Sequence, residues 1–181
     1  MGDDVVEKAR LTEKFILDAC CGGKEMWTNK NHPNTLYIDI RKEEKGCLPT
    51  QPNFCIQPDI IADFRALPPE IKAKKFKLIA WDIPHFKTLG KTSIYRMKYG
   101  ALEKETWQED IKKGFKELWT ILDDFGIILL KFNDYEIKFP QLLACIPETP
   151  LFYNVSTNRL NGNTTKWFCF MKIPERIEVR K

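Results

Sequence analysis

The stretch that most constrains the fold of this chain is residues 15–23, which read FILDACCGG. An apolar run ends in Asp18 and passes through small residues into Gly22 and Gly23. A buried parallel strand that opens into a tight turn at the edge of an α/β sheet shows this order of residues. We therefore predict that strand one covers about 14–19 and that the chain folds as an open α/β domain.

Three further acids stand in the same relation to a short apolar run. Asp39 and Asp82 each end such a run, and Asp63 directly follows another. A single acid after a strand is more often a helix cap or a solvated loop residue. Ligands of open α/β sheets, however, bind outside the carboxyl ends of the strands, near the topological switch point. Because four consecutive strands deliver a carboxylate there, we interpret these three acids and Asp18 as one site.

Length and composition limit the class of protein. The 181 residues predict a single domain over 1–181, with the polar residues 1–13 as an N-terminal arm. No apolar run approaches the ~20 residues of a membrane span and the acidic start lacks a signal core, so we expect a cytoplasmic protein that does not bind membranes.

None of the six cysteines forms a C-x-x-C pair, which predicts reduced thiols and no metal site. The net charge of +4 permits an anionic partner without requiring one, and the sequence does not indicate an oligomeric state.

Hydrophobic periodicity divides the chain into alternating strands and helices. The predicted strands are 14–19, 34–39, 58–62, 76–81, 126–132, 151–156 and 167–172. The predicted helices are 22–31, 70–73, 107–122 and about 136–146, and the predicted irregular stretches are 41–57 and 83–101. Asn161-Gly162 indicates a turn between the last two strands, which must then be antiparallel to each other. We predict an α/β fold, a Rossmann-like three-layer sandwich with a mostly parallel seven-stranded sheet and an antiparallel last strand.

The spacing of the first two acids favours a nucleoside ligand. Asp39 ends the second strand about 20 residues past the glycine turn, where an acid can bind ribose hydroxyls. The chain has no G-x-G-x-x-G and no G-K-[ST] sequence, so no motif is present that would cradle a pyrophosphate. A ligand with a ribose and a base but no phosphate, such as S-adenosylmethionine (SAM), therefore fits better than NAD.

On these residues the chain resembles the class I SAM-dependent methyltransferases, over roughly 14–172, and looks closest to the short single-domain type of bacteria and their phages. The segment 17–23 is similar to a variant of their glycine-rich first motif, with Cys-Cys-Gly-Gly in place of the usual Gly-x-Gly spacing. The resemblance implies SAM as cofactor, with a ribose acid after strand two and an acid-plus-apolar pair at the adenine after strand three. The cofactor residues that it implies are Asp18, Ala19, Cys20, Cys21, Gly22, Gly23, Asp39, Ile40, Asp63 and Phe64.

The resemblance extends to a fourth motif of the D-P-P-[YFWH] kind at residues 82–85, which read DIPH. It implies that Asp82 and His85 are catalytic. Ile83 replaces the first proline of that motif, and His85 stands where amino-methyltransferases usually have an aromatic residue. For a base amine as acceptor, Asp82 and the Ile83 carbonyl would accept N–H bonds while His85 or Phe86 stacks on the ring. For a hydroxyl acceptor, His85 is the candidate general base.

Cations and aromatic residues alternate in the stretch 83–101, which contains no acid. This composition suits a grip on single-stranded or flipped-out nucleic acid, although an ordinary solvated lid has it too. The predicted substrate residues are Ile83, Pro84, Phe86, Tyr95 and Arg96. We expect methylation of a nucleic-acid base, with DNA slightly ahead of RNA. The alternatives are methylation of a small molecule or protein, a SAM-fold binding module without turnover and, less favoured, a nicotinamide-dependent oxidoreductase.

Two further residues allow more than one interpretation. Trp27 follows the glycine turn and could line the cofactor pocket or pack beneath it. Lys131 on strand five could reach the site, but a lysine that extends from a strand end toward solvent is the more common arrangement.

Overall fold

Seven strands form one sheet in the computed structural model of the chain, which describes residues 14–156 and 164–174. The predicted arm 1–13 and the predicted turn at Asn161-Gly162 lie outside the described residues. The strands are β1 (Ile16–Asp18), β2 (Thr35–Asp39), β3 (Ile60–Ile61), β4 (Phe76–Asp82), β5 (Leu122–Asn133), β6 (Phe152–Ser156) and β7 (Thr165–Met171).

The strand order is β3-β2-β1-β4-β5-β7-β6. The pairs from β3 to β5 are parallel, whereas β7 runs antiparallel to both β5 and β6. The order of the strands reverses direction at β1, which lies between β2 and β4 and so forms the topological switch point. The predicted fold class, a mostly parallel seven-stranded sheet with an antiparallel last strand, is confirmed.

Helices flank this sheet and share its core. They are α1 (Pro69–Lys72), α2 (Ile94–Tyr99), α3 (Trp107–Ile121) and α4 (Phe139–Leu143). The apolar positions of α3 recur every three or four residues, and all but Trp119, which is half-buried, are at most 5% exposed, which confirms the predicted helix 107–122. No helix within the described ranges is long and apolar enough to cross a membrane.

Two predictions of local structure are wrong. The predicted helix 22–31 is a series of turns, because Gly22 and Lys24 have φ angles of 47° and 54°. These angles lie in the left-handed region, which a right-handed helix cannot include. The stretch 83–101 is not wholly irregular, since it contains α2, whose C-terminal cap is Gly100 with a φ of 75°.

The close approach of α3 to the sheet requires a glycine at position 114. A Cβ there would lie 2.5 Å from the ring of Phe64 and 3.1 Å from the ring of Trp81. Both rings are buried and contact each other edge to face, with centroids 5.6 Å apart. Because Phe64 follows the predicted site residue Asp63, the missing side chain at Gly114 determines where a ring of the candidate site lies.

Gly114→Ala should destabilise the protein by about 1–3 kcal/mol, because overpacking outweighs the gain of ~1 kcal/mol in helix propensity. Urea unfolding followed by circular dichroism measures the change. Gly90→Ala is the matched control, since a Cβ at that position meets nothing within 4 Å. We expect the control to stay within about 0.5 kcal/mol of the parent protein. Equal stabilities of the two variants would contradict the tight contact at Gly114.

Candidate functional site

A pocket of about 450 Å³ opens at the carboxyl ends of β1, β2 and β4. All four predicted acids line it, because β1 pairs with β2 on one side and with β4 on the other. No group of three or more His, Cys, Asp or Glu side chains in the described part of the chain is arranged to hold a metal ion. The structure thus places the predicted cofactor residues together, and their part in binding stays a prediction: Asp18, Ala19, Cys20, Cys21, Gly22, Gly23, Asp39, Ile40, Asp63 and Phe64.

Internal hydrogen bonds occupy the backbone amides of the turn after β1. Ala19 and Cys21 donate to backbone carbonyls of β4 and β2, both at 2.9 Å. Cys20 and Gly22 donate to the carboxylates that end β1 and β2, at 3.3 Å and 2.9 Å. Because these four amides are bonded inside the protein, they are not available to a phosphate group. Burial raises the pKa of both thiols in the turn, so neither is a reactive thiolate at neutral pH.

Asp18, at the end of β1, is only 1% exposed. Its Oδ2 accepts a hydrogen bond from Trp27 Nε1 at 2.7 Å, and its Oδ1 accepts the bond from Cys20 N. Burial raises the pKa of Asp18 to about 7, although both bonds favour the ionised form. Trp27 does not line the pocket. Its indole N–H binds Asp18, and its ring contacts the Tyr37 ring edge to face.

Asp18 also differs from the other acids of the pocket in its ion pairing. Six carboxylates and five Lys or Arg side chains line the pocket. Five of the carboxylates form ion pairs at 2.6–3.1 Å, which are Asp39–Arg41, Asp63–Arg65, Asp82–Lys131, Glu25–Lys98 and Glu103–Arg96. Among the lining residues, all of which the structure describes, Asp18 is the one carboxylate without a cationic partner. The pocket therefore carries one excess negative charge when Asp18 is ionised.

Asp39, the predicted ribose acid, is fully engaged within the protein. Its Oδ1 accepts bonds from the Arg41 amide and Nε at 2.9 Å and 3.0 Å, and its Oδ2 accepts bonds from Gly22 N and Arg41 Nη2 at 2.9 Å and 3.1 Å. The remaining nitrogen, Arg41 Nη1, donates to Met97 O of α2 at 3.1 Å. One guanidinium thus joins the end of β2 to the helix that borders the pocket.

Asp63 and Phe64 form the third part of the wall. Although burial raises the pKa of Asp63, hydrogen bonds from Arg65 hold it below the usual value. Arg65 also pairs with Asp110 of α3 at 3.0 Å, which fixes the loop after β3 to that helix.

The pattern D-x-R occurs at residues 39–41 and again at 63–65. The sequence prediction overlooked both arginines, although this repeated pattern was a signal for them.

Asp82 ends β4 and lies directly opposite Lys131 of β5, with 2.6 Å between Asp82 Oδ2 and Lys131 Nζ. Lys131 therefore reaches the site, contrary to the arrangement that the sequence favours. Burial raises the pKa of Asp82, and the lysine opposes that rise.

Burial and the nearby Lys131 charge lower the pKa of His85 to about 4, so its imidazole is neutral at physiological pH. His85 contacts the Phe86 ring, with centroids 4.2 Å apart.

The loop after β4 is held by Glu136, a residue that sequence patterning does not indicate. One carboxylate oxygen of Glu136 accepts bonds from the amides of Lys87 and Thr88, at 2.7 Å and 3.1 Å. The other accepts the hydroxyl of Thr88. These bonds fix the loop that carries His85, and the large separation along the chain explains why no local pattern predicts them.

No family model and no curated protein match this chain. Among solved structures, an S-adenosylmethionine-dependent methyltransferase from Clostridium acetobutylicum ATCC 824 is 23% identical, with a TM-score of 0.38 over 74% of this chain. The match covers 49% of that protein, so the chain spans about half its length. The antibiotic-resistance methyltransferase Kmr is 14% identical, with a TM-score of 0.47 over 93% of this chain and 92% of that one. An antibiotic-related methyltransferase is 13% identical, with a TM-score of 0.45 over 94% of each chain.

The order of the seven strands, with β7 antiparallel, agrees with the fold that the sequence resemblance implies. The fold is a Rossmann-like α/β sandwich. Identities this low say nothing of activity, so we base the proposed function on the pocket of this chain itself.

In this fold the predicted substrate residues separate into two groups. Ile83, Pro84 and Arg96 line the pocket, together with the predicted catalytic residues Asp82 and His85. An aromatic cluster extends from Tyr99 of the pocket wall to three rings outside it, with ring centroids 5.6–6.5 Å apart, and these are Phe86, Tyr95 and Tyr135. The structure therefore places Phe86 and Tyr95 beside the mouth rather than inside the pocket.

Arg41→Ala should speed hydrogen exchange of the α2 amides by about 10-fold, because it removes the charged bond to Met97 O. Hydrogen exchange followed by mass spectrometry over residues 94–99 measures this. Arg65→Ala is the matched control, since it breaks the equivalent pair with Asp63 and leaves the bond to α2 in place. Equal exchange of α2 in the two variants would show that Arg41 does not hold the helix.

Proposed function

We propose that this protein is a SAM-dependent methyltransferase whose acceptor is a nucleic-acid base. The observation that carries the proposal is Asp18, a buried carboxylate without a cationic partner among the described residues of a pocket at the switch point. The five ion pairs of the pocket are neutral, so a ligand with one net positive charge would balance the charge of the one unpaired acid. SAM is such a ligand, since its sulfonium and ammonium groups outnumber its carboxylate.

The same pocket disfavours a dinucleotide. A pyrophosphate needs free backbone amides at the turn after β1, and the amides of residues 19–22 are already bonded inside the protein. A ribose needs a carboxylate at the end of β2, and Asp39 stands there. Ribose hydroxyls could replace the Arg41 guanidinium on Asp39, because both are hydrogen-bond donors to the same oxygens.

The residues at the end of β4 would orient the acceptor. SAM supplies a methyl group on a positively charged sulfur, and transfer requires chiefly that the acceptor atom is held in line with it. Asp82 would accept an N–H bond of a base amine through the oxygen that Lys131 leaves open. His85, neutral and in contact with Phe86, would stack on the base. A pKa of about 4 makes His85 a weak base at pH 7, which favours this role over removal of a proton from a hydroxyl.

Exposed aromatic residues at the mouth support a nucleic-acid partner. Tyr95 and Tyr99 are 61% and 42% exposed and stack on each other with ring planes 20° apart. Lys87 and Lys91 lie on the same stretch of chain. Stacking platforms beside cations are typical of proteins that bind single strands or extruded bases.

A small-molecule acceptor is the second candidate, and the position of α2 favours it. Residues 98–103 form part of the pocket wall. Arg96 and Lys98 pair with Glu103 and Glu25 and so neutralise charge within the pocket. A wall of this kind is more typical of an enclosed small-molecule site than of an open basic groove.

Transfer of tritium from methyl-labelled SAM tests the function. We expect label in single-stranded DNA or RNA and none in a metabolite extract, with transfer that weakens as salt rises. Label in the extract alone would establish the small-molecule alternative. Tight binding of SAM with no transfer to nucleic acid, protein or metabolites would contradict an enzyme and leave a binding module.

Asp39→Ala should weaken SAM binding by about 10- to 150-fold, the effect of losing charge-assisted bonds to two hydroxyls. Calorimetry should give a Kd for the parent protein in the micromolar range or tighter, roughly −8 kcal/mol. Asp59→Ala is the matched control: Asp59 accepts a bond from the β2 amide of Tyr37 at 3.1 Å but lies outside the pocket wall. Unchanged SAM affinity in Asp39→Ala, or tighter binding of NAD than of SAM, would contradict the cofactor assignment.

A further inference from the structure

The ion pair between β4 and β5 lies where an acceptor would be held. The strand register sets Asp82 opposite Lys131, and 2.6 Å separate Lys131 Nζ from Asp82 Oδ2. Both side chains line the pocket, and each is about one third exposed, at 33% and 32%. Within the described ranges, no other side chain or backbone amide donates a hydrogen bond to the carboxylate of Asp82, which leaves its Oδ1 without a protein donor.

We infer that Lys131 is a positioning residue for methyl transfer, which binds one oxygen of Asp82 so that the other can accept an N–H bond of the acceptor. The inference rests on the proposed function and extends it to a residue outside the four strand-end acids. A carboxylate with one oxygen fixed by a cross-strand lysine has a single orientation, whereas an unpaired one rotates about its last bond.

Lys131 also controls the ionisation of Asp82. The groups that interact with this carboxylate are Lys131 from β5, Asp18 at the end of β1, and Cys20 and Glu25 from the turns after β1, while His85 from the following loop lines the same pocket. Burial and the Glu25 charge raise the pKa of Asp82, and Lys131 lowers it. Without the lysine the carboxyl group would stay protonated to a higher pH, and a protonated Asp82 cannot take up a proton from the acceptor.

The proton balance of the reaction requires that ionised form. The acceptor amine gains a methyl group and loses one proton, which passes to Asp82 and then to water. The sulfur that gives up the methyl group keeps the bonding electron pair and becomes a neutral thioether. Each turnover therefore begins with Asp82 ionised, which is the form that Lys131 favours.

Lys131→Met tests the inference. We expect kcat to fall by about 10- to 100-fold at pH 7, with SAM affinity within about three-fold of the parent protein. The acidic limb of the pH–rate profile should move upward by about one pH unit, and Lys131→Arg should restore much of the rate. Lys77→Met is the matched control, since Lys77 pairs with Asp123 at 2.8 Å across the other end of β4 and β5. The control should have the rate and profile of the parent protein.

A second readout keeps this test separate from that of the proposed function. Carbon-13 NMR of the Asp82 carboxyl group, in the protein without ligand, should show its titration midpoint at higher pH in Lys131→Met than in the parent protein. A parent protein that transfers no methyl group would refute the proposed function and leave this comparison open to measurement. An unchanged midpoint, or a loss of rate with an unmoved acidic limb, would overturn the inference and leave Lys131 with a role in packing alone.

Discussion

The parallel pairing of β1 with β2 on one side and β4 on the other is the constraint on which the pocket depends. It brings carboxylates to one edge of the sheet, where they repel each other and where burial opposes their ionisation. Arginines two residues further along the chain offset this for Asp39 and Asp63, and a lysine on the neighbouring strand offsets it for Asp82. Asp18 is the least exposed of these acids, and no cation among the described residues pairs with it.

This arrangement of charge connects the fold to a class of ligand. The ion pairs leave one acid without a countercharge, which under the proposed function the ligand supplies, and the amides of the turn are already bonded inside the protein and so are not available to a phosphate. The guanidinium of Arg41 adds a mechanical link, because it touches both the candidate ribose acid and α2. Under the proposed function, this side chain would couple cofactor binding to the position of the helix beside the acceptor.

The sequence predicted the sheet and the four acids because both depend on short apolar runs with a fixed ending, a signal that is local. It failed at residues 22–31, where left-handed φ angles at Gly22 and Lys24 override helix propensity. It favoured a solvent-directed Lys131, since the register that sets Asp82 opposite that residue exists only after β4 and β5 have paired. Glu136 could not be predicted for the same reason, as its partners lie in a loop that is distant along the chain.

The most direct test of the central claim, that Asp18 receives the positive charge of the cofactor, is the number of protons released when SAM binds. Calorimetry at pH 6.5 in buffers of different ionisation enthalpy measures it. With a pKa of about 7, Asp18 is partly protonated at this pH, and a cation beside it would release a measurable fraction of a proton. We expect that release in the parent protein and none in Asp18→Asn. Binding of SAM without proton release, or equal release in both proteins, would contradict the account.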